Sequence, residues 1–475
     1  MLPLWINDYP MSEFISQLAT NIWTPVLFLL IIGGVFFLIY SRFVQYKYFT
    51  HAIAVLRGKY DDPNDPGQIS AYEALSTALA STVGMGNIAG VAAAISIGGP
   101  GALFWMWVTA FVGMSTNFFT TTLSVMYRGK DSAGNIQGGP MYVIREGLSK
   151  AWYPLAIIFS VCVLVGCLPI FQSNQLTQVI VDIGLSESAR TASFSFAGFD
   201  LSIAKTIIGI VLTIITAVVI VGGIQRIGRW AGKMVPLMII LYFALVLIII
   251  ILNIEKVPHY FVLIFTDAFA ADNYNGSPAL GGMVGGLILT GVRRASFSNE
   301  AGIGTAPMAM GASKTKEPIR EGLVSMLSPA IDTLLVCTLT AISILVTDVW
   351  QDKSLSGVSL TTSAFESALG EPGKYLLLLC ASFFAITSLF SYSYYGNKAI
   401  SFIAGVKAGK YYDYFYLVTI VIGAVASMAD VMNVIDVAYA IMAFPTMISG
   451  FILAPKVMKE AKRYFSKLDE ERRTH

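Results

Sequence analysis

The sequence predicts an all-α polytopic membrane protein: eleven transmembrane helices, ten of them in a 5+5 inverted repeat with two broken helices. Three observations carry this. The 475 residues are 55% hydrophobic and only 13% charged, with a mean hydropathy of +0.68, which excludes an ordinary soluble domain. Eleven apolar segments follow one another with short linkers. Two of them, the second and the seventh, hold glycines and polar residues where a membrane helix calls for aliphatic ones.

The segments run 24–42, 71–97, 100–127, 152–184, 203–223, 232–253, 279–309, 322–348, 373–402, 412–430 and 433–456. A span needs about 20 residues, so the longer ones must tilt, break or extend beyond the bilayer. Residues 1–70 hold the N-terminal segment, the first helix and a loop. Residues 71–253 form the first five-helix repeat, 254–456 the second, and 457–475 a basic tail. Residues 1–23 carry Asp8 and Glu13 but no Lys or Arg, so a signal peptide, with its positive start, is not expected.

Lys and Arg set the orientation. The first loop holds Arg42, Lys47, Arg57 and Lys59, and every second loop after it is basic: Arg128, Lys130, Arg145 and Lys150; Arg226, Arg229 and Lys233; Lys314, Lys316 and Arg320; Lys398, Lys407 and Lys410. The tail adds Lys456, Lys459, Lys462, Arg463, Lys467, Arg472 and Arg473, against Arg190, Lys205, Lys256, Lys353 and Lys374 on the other side. The N-terminus is therefore expected outside and the C-terminus in the cytoplasm, which requires an odd number of spans. The tail is a solvated face with a weak pull toward anionic lipid.

The first interruption is Ser81-Thr-Val-Gly-Met-Gly-Asn87, between good helix formers at Ala71 to Ala80 and Ile88 to Ile97. Two glycines in a helix interior cost about 1 kcal/mol each relative to alanine. The expected structure is two half-helices and an unwound linker, whose freed N–H groups and hydroxyls, Thr82 among them, line a polar site at mid-membrane depth. A carboxylate and a small cation suit it. The second interruption lies in Arg293-Arg-Ala-Ser-Phe-Ser-Asn-Glu-Ala-Gly-Ile-Gly-Thr-Ala-Pro307. Each interrupted segment opens a set of five. Five is odd, so the second set enters the membrane from the opposite face, which is the sequence signature of an inverted repeat.

Several classes are excluded. Cys162, Cys167, Cys337 and Cys380 lie in apolar runs and read as core residues, while His51, His259 and His475 are far apart. Neither a disulfide framework nor a zinc site is expected. A net charge of +2, split by side of the membrane, points to no nucleic acid. Gly84-x-Gly86-x-x-x-Gly90 has the wrong spacing for a dinucleotide loop. No nucleophile–base set, HExxH or Walker loop is present, so the chain is not read as an enzyme or an ATP-driven pump. Trp105, Trp107, Tyr411, Tyr412, Tyr414 and Tyr416 read as packing or interface belts.

Specific motifs resemble the alanine-or-glycine:cation symporter family (sodium:alanine symporters) over nearly the whole chain. They are Gly98-Gly-Pro-Gly-Ala-Leu-Phe-Trp-Met-Trp-Val-Thr-Ala-Phe-Val-Gly113, Ala74-Leu-Ser-Thr-Ala-Leu-Ala80, Gly86-Asn-Ile-Ala-Gly90, Phe297-Ser-Asn-Glu-Ala-Gly302 and Ser393-Tyr-Tyr-Gly396. The resemblance implies a leucine-transporter-type fold, a bacterial or archaeal plasma membrane, no required oligomer, and Na⁺-driven uptake of a small neutral amino acid such as alanine or glycine. The chain departs from the family in two places. Met85 stands where the family commonly has Thr, and Ser391-Tyr392-Ser-Tyr-Tyr-Gly-Asn397 stands where it commonly reads Gly-Trp-Ser-Tyr-Tyr-Gly-Glu. A tyrosine for a tryptophan, with a hydroxyl beside it, makes a longer polar substrate such as glutamine plausible.

In that fold, N–H groups around Gly84, Met85, Gly86 and Asn87 bind the substrate carboxylate, and the stretch Ser296, Phe297 and Asn299 offers carbonyls to its ammonium. Gln172 matches a substrate-facing position, with Phe171 and Tyr392 as pocket walls. The bland alternatives are close helix packing for the glycines and an interhelical hydrogen bond for Gln172. Ala80 and Val83 offer carbonyls to Na⁺, and Thr387 and Ser388 match the family's cation hydroxyls; alternatively these hydroxyls only bond their own i−4 carbonyls. Arg293, Arg294, Glu300 and Asp332 are ionisable groups in spans, where such groups face a cavity or a partner. An Arg–acid pair that closes the site to one side is expected, with a static structural pair as the alternative. Two rivals remain: a proton-coupled carrier of the same fold, and a sensor or channel-like protein that binds an amino acid without stoichiometric transport.

Overall fold

The computed structural model describes residues 10–196, 199–270, 284–426 and 429–474. The chain is helical almost throughout. Two short antiparallel ribbons, Gly129–Lys130 with Ile136–Gln137 and Ser193–Phe196 with Phe199–Ser202, are the strands among the described residues. Both sit in connections between helices, so the all-α expectation holds for the body of the fold.

Segment 1 is the helix Pro10–Tyr40. It ends where Arg42 and Phe43 take positive φ, and two short helices, Val44–Lys47 and Phe49–Leu56, fill the following loop. Segment 2 starts at a capping box. Ser70 Oγ accepts from Glu73 N at 3.2 Å, and Glu73 Oε2 accepts from Ser70 N at 3.0 Å. Each side chain thus satisfies an orphan donor of the first turn. The segment is two pieces bent by 50°, Ala71–Thr82 and Gly86–Gly98. Segment 3 is the unbroken helix Ala102–Met126. Segment 4 is divided at Pro169 into Tyr153–Gly166 and Ile170–Gly184, where the sequence reading took one continuous run. Proline cannot donate to the carbonyl four residues back, so a helix entering Pro169 from Gly166 must break its ladder there.

Segments 5 and 6 are Ile203–Ile220 and Gly223–Leu252. Segment 7 gives Val284–Asn299 and Thr305–Met310; its expected start at 279–283 lies outside the described residues. Segment 8 runs Pro318–Val346 and widens to a π-helix over Ala330–Cys337. Segments 9, 10 and 11 are Glu371–Ala404, Val406–Val425 and Ala429–Thr474. Among the described residues eight helices are long and apolar enough to cross a membrane, nine with the bent pair counted as one span. Of the other two segments, the seventh is split, and the tenth carries Lys407, Lys410 and Asp413 in its first turns.

Burial separates core from periphery. The most apolar stretches of segments 3 and 8 are 72% buried, those of segments 5 and 6 only 28% and 33%. Segments 5 and 6 turn Ile207, Ile214, Val218, Ile240 and Ile251 outward, an apolar surface that suits lipid and not water. The two broken segments pack against segments 3 and 8 in the buried part of the molecule.

Candidate functional site

The first break is made by redirected amides. Val83, with ψ at 86°, ends the helix Ala71–Thr82. The Gly84 N–H, which would ordinarily serve Ala80 O, donates to Asn87 Oδ1 at 2.8 Å. The Asn87 N–H, the ordinary partner of Val83 O, donates to Gly84 O at 3.1 Å. The carbonyls of Ala80 and Val83 thus lose their usual helical donors, as expected from the sequence. Met85 N–H donates across to Gln172 Oε1 at 3.0 Å. A Cβ at Gly84 would lie 2.5 Å from Ser388 Oγ and 3.0 Å from Gln172 Nε2. Glycine is required there because segments 4 and 9 close onto the backbone.

The second break lies a few residues later than expected. The helix continues through Asn299, so Ser296 and Phe297 are in its last turns. The unwound stretch is 300–304, where Glu300, Gly302 and Gly304 have φ of 54°, 82° and 109°. Two glycines enter the left-handed region freely; Glu300 does so against a penalty of about 1–2 kcal/mol. Its buried carboxylate offsets this, accepting from Tyr392 OH and Tyr439 OH at 2.9 Å each and from Thr305 Oγ1. Asn299 holds the start of the break, Oδ1 accepting from Ala301 N, and ties it to segment 8, Nδ2 donating to Thr333 Oγ1, both at 3.0 Å.

Between the breaks stands Asp332, on the π-helical stretch of segment 8. It accepts from Asn87 Nδ2 at 2.6 Å, Ser298 Oγ at 2.8 Å and Thr333 Oγ1 at 2.7 Å. One carboxylate therefore touches Asn87 at the first interruption and Ser298 in the helical turn before the second. An aromatic wall runs alongside: Phe171 meets Phe297 edge-on at 5.4 Å, and Phe297 meets Tyr439 at 5.4 Å. Ser296 Oγ is buried with no hydrogen-bond partner, and Thr82 Oγ1 reaches Leu79 O at 3.4 Å. Gly86 lies next to the Phe297 ring. Tyr392 turns its hydroxyl to Glu300 and Tyr439.

The Thr387 and Ser388 hydroxyls do bond their own helix. Thr387 Oγ1 donates to Phe383 O at 2.9 Å, and Ser388 Oγ to Phe384 O at 2.9 Å. Each such bond uses the hydroxyl hydrogen and leaves oxygen lone pairs. Ser388 Oγ stands over Gly84, whereas Thr387 Oγ1 is 3.6 Å from Met238 Sδ.

The expected Arg–acid pair has a different acid. Arg293 pairs with Asp436 of segment 11, with the Trp23 ring 5.8 Å away. Arg294 is half-buried beside it, under the charges of Asp436 and Arg293. Glu300 and Asp332 take neutral donors instead. Asp436 is an acid inside an apolar segment, the same signal that singled out Asp332, so the sequence did carry it. At the end of the molecule with the basic loops, Arg128 donates to Gly311 O at 2.9 Å, to Pro66 O and Thr315 O at 3.1 Å, and to Ser313 O. Ile69 and Ser313 form a parallel bridge there, and Lys398 Nζ donates to Met308 O at 2.7 Å.

Two interrupted helices packed on one another within a helical membrane protein are the arrangement of the leucine-transporter-type fold. The fold is similar to that in the crystal structure of MhsT in complex with L-phenylalanine, with a TM-score of 0.56, 13% identity, and coverage of 84% of this chain and 93% of that one. The chain belongs to the sodium:alanine symporter family, whose model matches residues 8–475. It is 37% identical over 460 residues to sodium/alanine symporter AgcS of Methanococcus maripaludis, covering 95% of this chain and 97% of that one. It is 32% identical over 455 residues to a Bacillus subtilis protein named "Probable sodium/glutamine symporter GlnT", covering 95% and 90%. The chain is thus a multi-pass membrane transporter and not an enzyme.

Proposed function

We propose that this transporter imports a small neutral amino acid together with Na⁺, by alternating access around the two breaks. Alanine and glycine are the first candidates and glutamine the longer one. The observation that carries the reading is the meeting of Gly84, Gln172 and Ser388: a bare backbone, a side-chain amide and a hydroxyl converge where two carbonyls have lost their donors. In this reading Gln172 Oε1 holds the Met85 N–H until a substrate carboxylate displaces it, and Gln172 Nε2 then donates to that carboxylate. Ala80, Val83, Thr387 and Ser388 supply oxygens to Na⁺, a hard cation that suits neutral oxygen ligands. Phe171, Phe297 and Tyr439 bound the side-chain space. Substrate and ion bind cooperatively, because each orders the unwound stretch that the other uses.

The proposed frame has eleven crossings in a plasma membrane, with the N-terminus outside and the repeats spanning 71–253 and 254–456. Arg293 and Asp436 then lie toward the outer face, and Arg128 at the cytoplasmic one. Uptake of labelled alanine, glycine and glutamine into proteoliposomes, under an imposed Na⁺ gradient with pH clamped equal on both sides, tests this. Concentrative uptake that needs the Na⁺ gradient is expected. Uptake driven only by a proton gradient, or amino-acid binding with no net transport, overturns it in favour of a proton carrier or a sensor.

A further inference from the structure

Lys398, grouped by sequence with a basic loop, lies instead inside the helix Glu371–Ala404 and is 3% exposed. Its ammonium donates to Met308 O at 2.7 Å and to Tyr394 OH at 2.9 Å. Neither acceptor is charged, and among the described residues no carboxylate comes within ion-pair distance of it. Burying an ammonium on neutral partners is costly, and a methionine would fill a similar length without that cost. Packing alone gives no reason for a lysine here.

Its acceptor gives one. Met308 lies in the inner half-helix of segment 7, Thr305–Met310. The Ala312 N–H, which would ordinarily serve Met308 O, turns to Ala309 O at 3.0 Å. Lys398 takes the freed carbonyl. From segment 3, Ser124 Oγ donates to Pro307 O at 2.7 Å, and just past it Arg128 donates to Gly311 O at 2.9 Å. Side chains thus hold the half-helix by its inner end, and Lys398 is the tie to segment 9. The charges that bear on Lys398 are the repulsion of Arg128 and the attraction of Asp131. Asp131 stands on the ribbon 129–137. Ser132 joins that ribbon to the turn between segments 9 and 10, its Oγ accepting from Val406 N at 2.9 Å. Asp131 Oδ2 accepts two side-chain amides, Asn135 Nδ2 at 3.2 Å and Gln137 Nε2 at 3.1 Å, and both can rotate away.

We infer that Lys398 is a positioning residue of the transport cycle with two stations. With the basic end closed, it ties the inner half-helix of segment 7 to segment 9 through Met308 O. When that half-helix moves off, the ammonium passes to Asp131, so its charge is met in the opened form as well. The lysine thus stabilises two arrangements and no arrangement between them. The inference rests on alternating access by movement about the breaks, and not on the identity of substrate or ion.

The test puts a cysteine at Ser313, which is 0% exposed and bridged to Ile69 in the closed form. The purified full-length protein, freed of its native cysteines, is held in detergent at fixed salt, and the reaction of that cysteine with a small thiol reagent is timed. No amino acid is added and both ends are reachable, so a wrong substrate or a wrong orientation leaves the readout unchanged. Lys398→Met is expected to react at least about fivefold faster than the parent, because the closed form has lost a charge-assisted hydrogen bond. Asp131→Asn is expected to react at least about threefold slower, because the opened form has lost its station. The double variant should match Lys398→Met within about twofold, since no ammonium is left to receive. A merely loosened fold would speed both single variants, and that outcome overturns the inference. So does an unchanged rate in either single variant, or a double variant in which the two effects add. Should Lys398→Met fail to fold, Lys398→Gln keeps an N–H for Met308 O but brings no charge to Asp131. Adding Asp131→Asn to it should then change the rate by less than about twofold, and a slowing as large as in the parent overturns the inference.

Discussion

Gly84→Ala tests the site at its tightest point. The added Cβ would lie 2.5 Å from Ser388 Oγ, 3.0 Å from Gln172 Nε2 and 3.2 Å from Gln172 Oε1. Ser388 can rotate only by giving up its bond to Phe384 O, and Gln172 only by releasing Met85 N–H. Overpacking of this kind costs about 1–3 kcal/mol, and a lost hydrogen bond about 0.5–1.5 kcal/mol. The Met85 bond is in any case given up to the substrate, so the bound state bears the overpacking and the Ser388 bond; about 2 kcal/mol there weakens substrate binding about thirtyfold. Gly90→Ala is the matched control: it lies six residues on in the same segment, and its Cβ would meet nothing within 4 Å. Calorimetric titration of alanine in saturating Na⁺ should show a roughly thirtyfold loss for Gly84→Ala and less than about twofold for Gly90→Ala. Equal affinities for the two variants would mean that the backbone at Gly84 does not face the ligand.

Three further outcomes follow from the same geometry. Tyr392→Trp restores the family's common residue and removes the hydroxyl from Glu300; the ratio of alanine to glutamine affinity should rise severalfold, and an unchanged ratio removes Tyr392 from specificity. Arg293→Gln leaves Asp436 buried without its partner, which costs about 3–5 kcal/mol in the closed form. A cysteine at Ser296 in a background lacking the native cysteines should then react faster with an impermeant thiol reagent from outside; an unchanged rate marks the pair as structural. Asp131 anchors the ribbon 129–137, accepting from Gln137, Asn135 and Ala133. Burial pushes its carboxyl up, but these bonds more than offset that and hold it below the usual range. A lowered carboxyl stabilises above its ordinary value of about 3.9 and loses this as pH falls through the lowered one. The melting-temperature gap between wild type and Asp131→Asn should therefore be constant above about pH 5 and close in stronger acid.

The first break was legible nearly to the residue, because glycine, hydroxyl and amide sit together where aliphatic side chains belong. The second was legible as a segment but misplaced within it. The reading weighted the polar run Ser296 to Asn299, whereas backbone freedom decided the matter: Gly302 and Gly304 adopt positive φ and drag Glu300 with them. The division of segment 4 at Pro169 was written in the sequence and passed over. Partnerships were the least legible. Whether Arg293 meets Glu300, Asp332 or Asp436 depends on how segments 7, 8 and 11 rotate about their axes, and no local pattern fixes that rotation. The same holds for Tyr392, whose hydroxyl addresses Glu300 of another segment.

The two ends of the site are closed by different chemistry, and this bears on how it opens. At the end placed outside in the proposed frame, segments 7 and 11 meet through the side chains of Arg293 and Asp436. Such a pair can part by rotamer changes while both helices stay in place. At the basic end, one guanidinium reads four backbone carbonyls, and the strand-like bridge of Ile69 with Ser313 adds further backbone bonds. Gln68 N–H to Ala312 O and Lys314 N–H to Ile69 O, both 2.7 Å, belong to the same clasp. Backbone partners cannot swing away alone. In the proposed transport cycle, opening that end separates residues 66–69, just before segment 2, from 311–315, just after segment 7, a movement that rocking of whole helices about the breaks supplies.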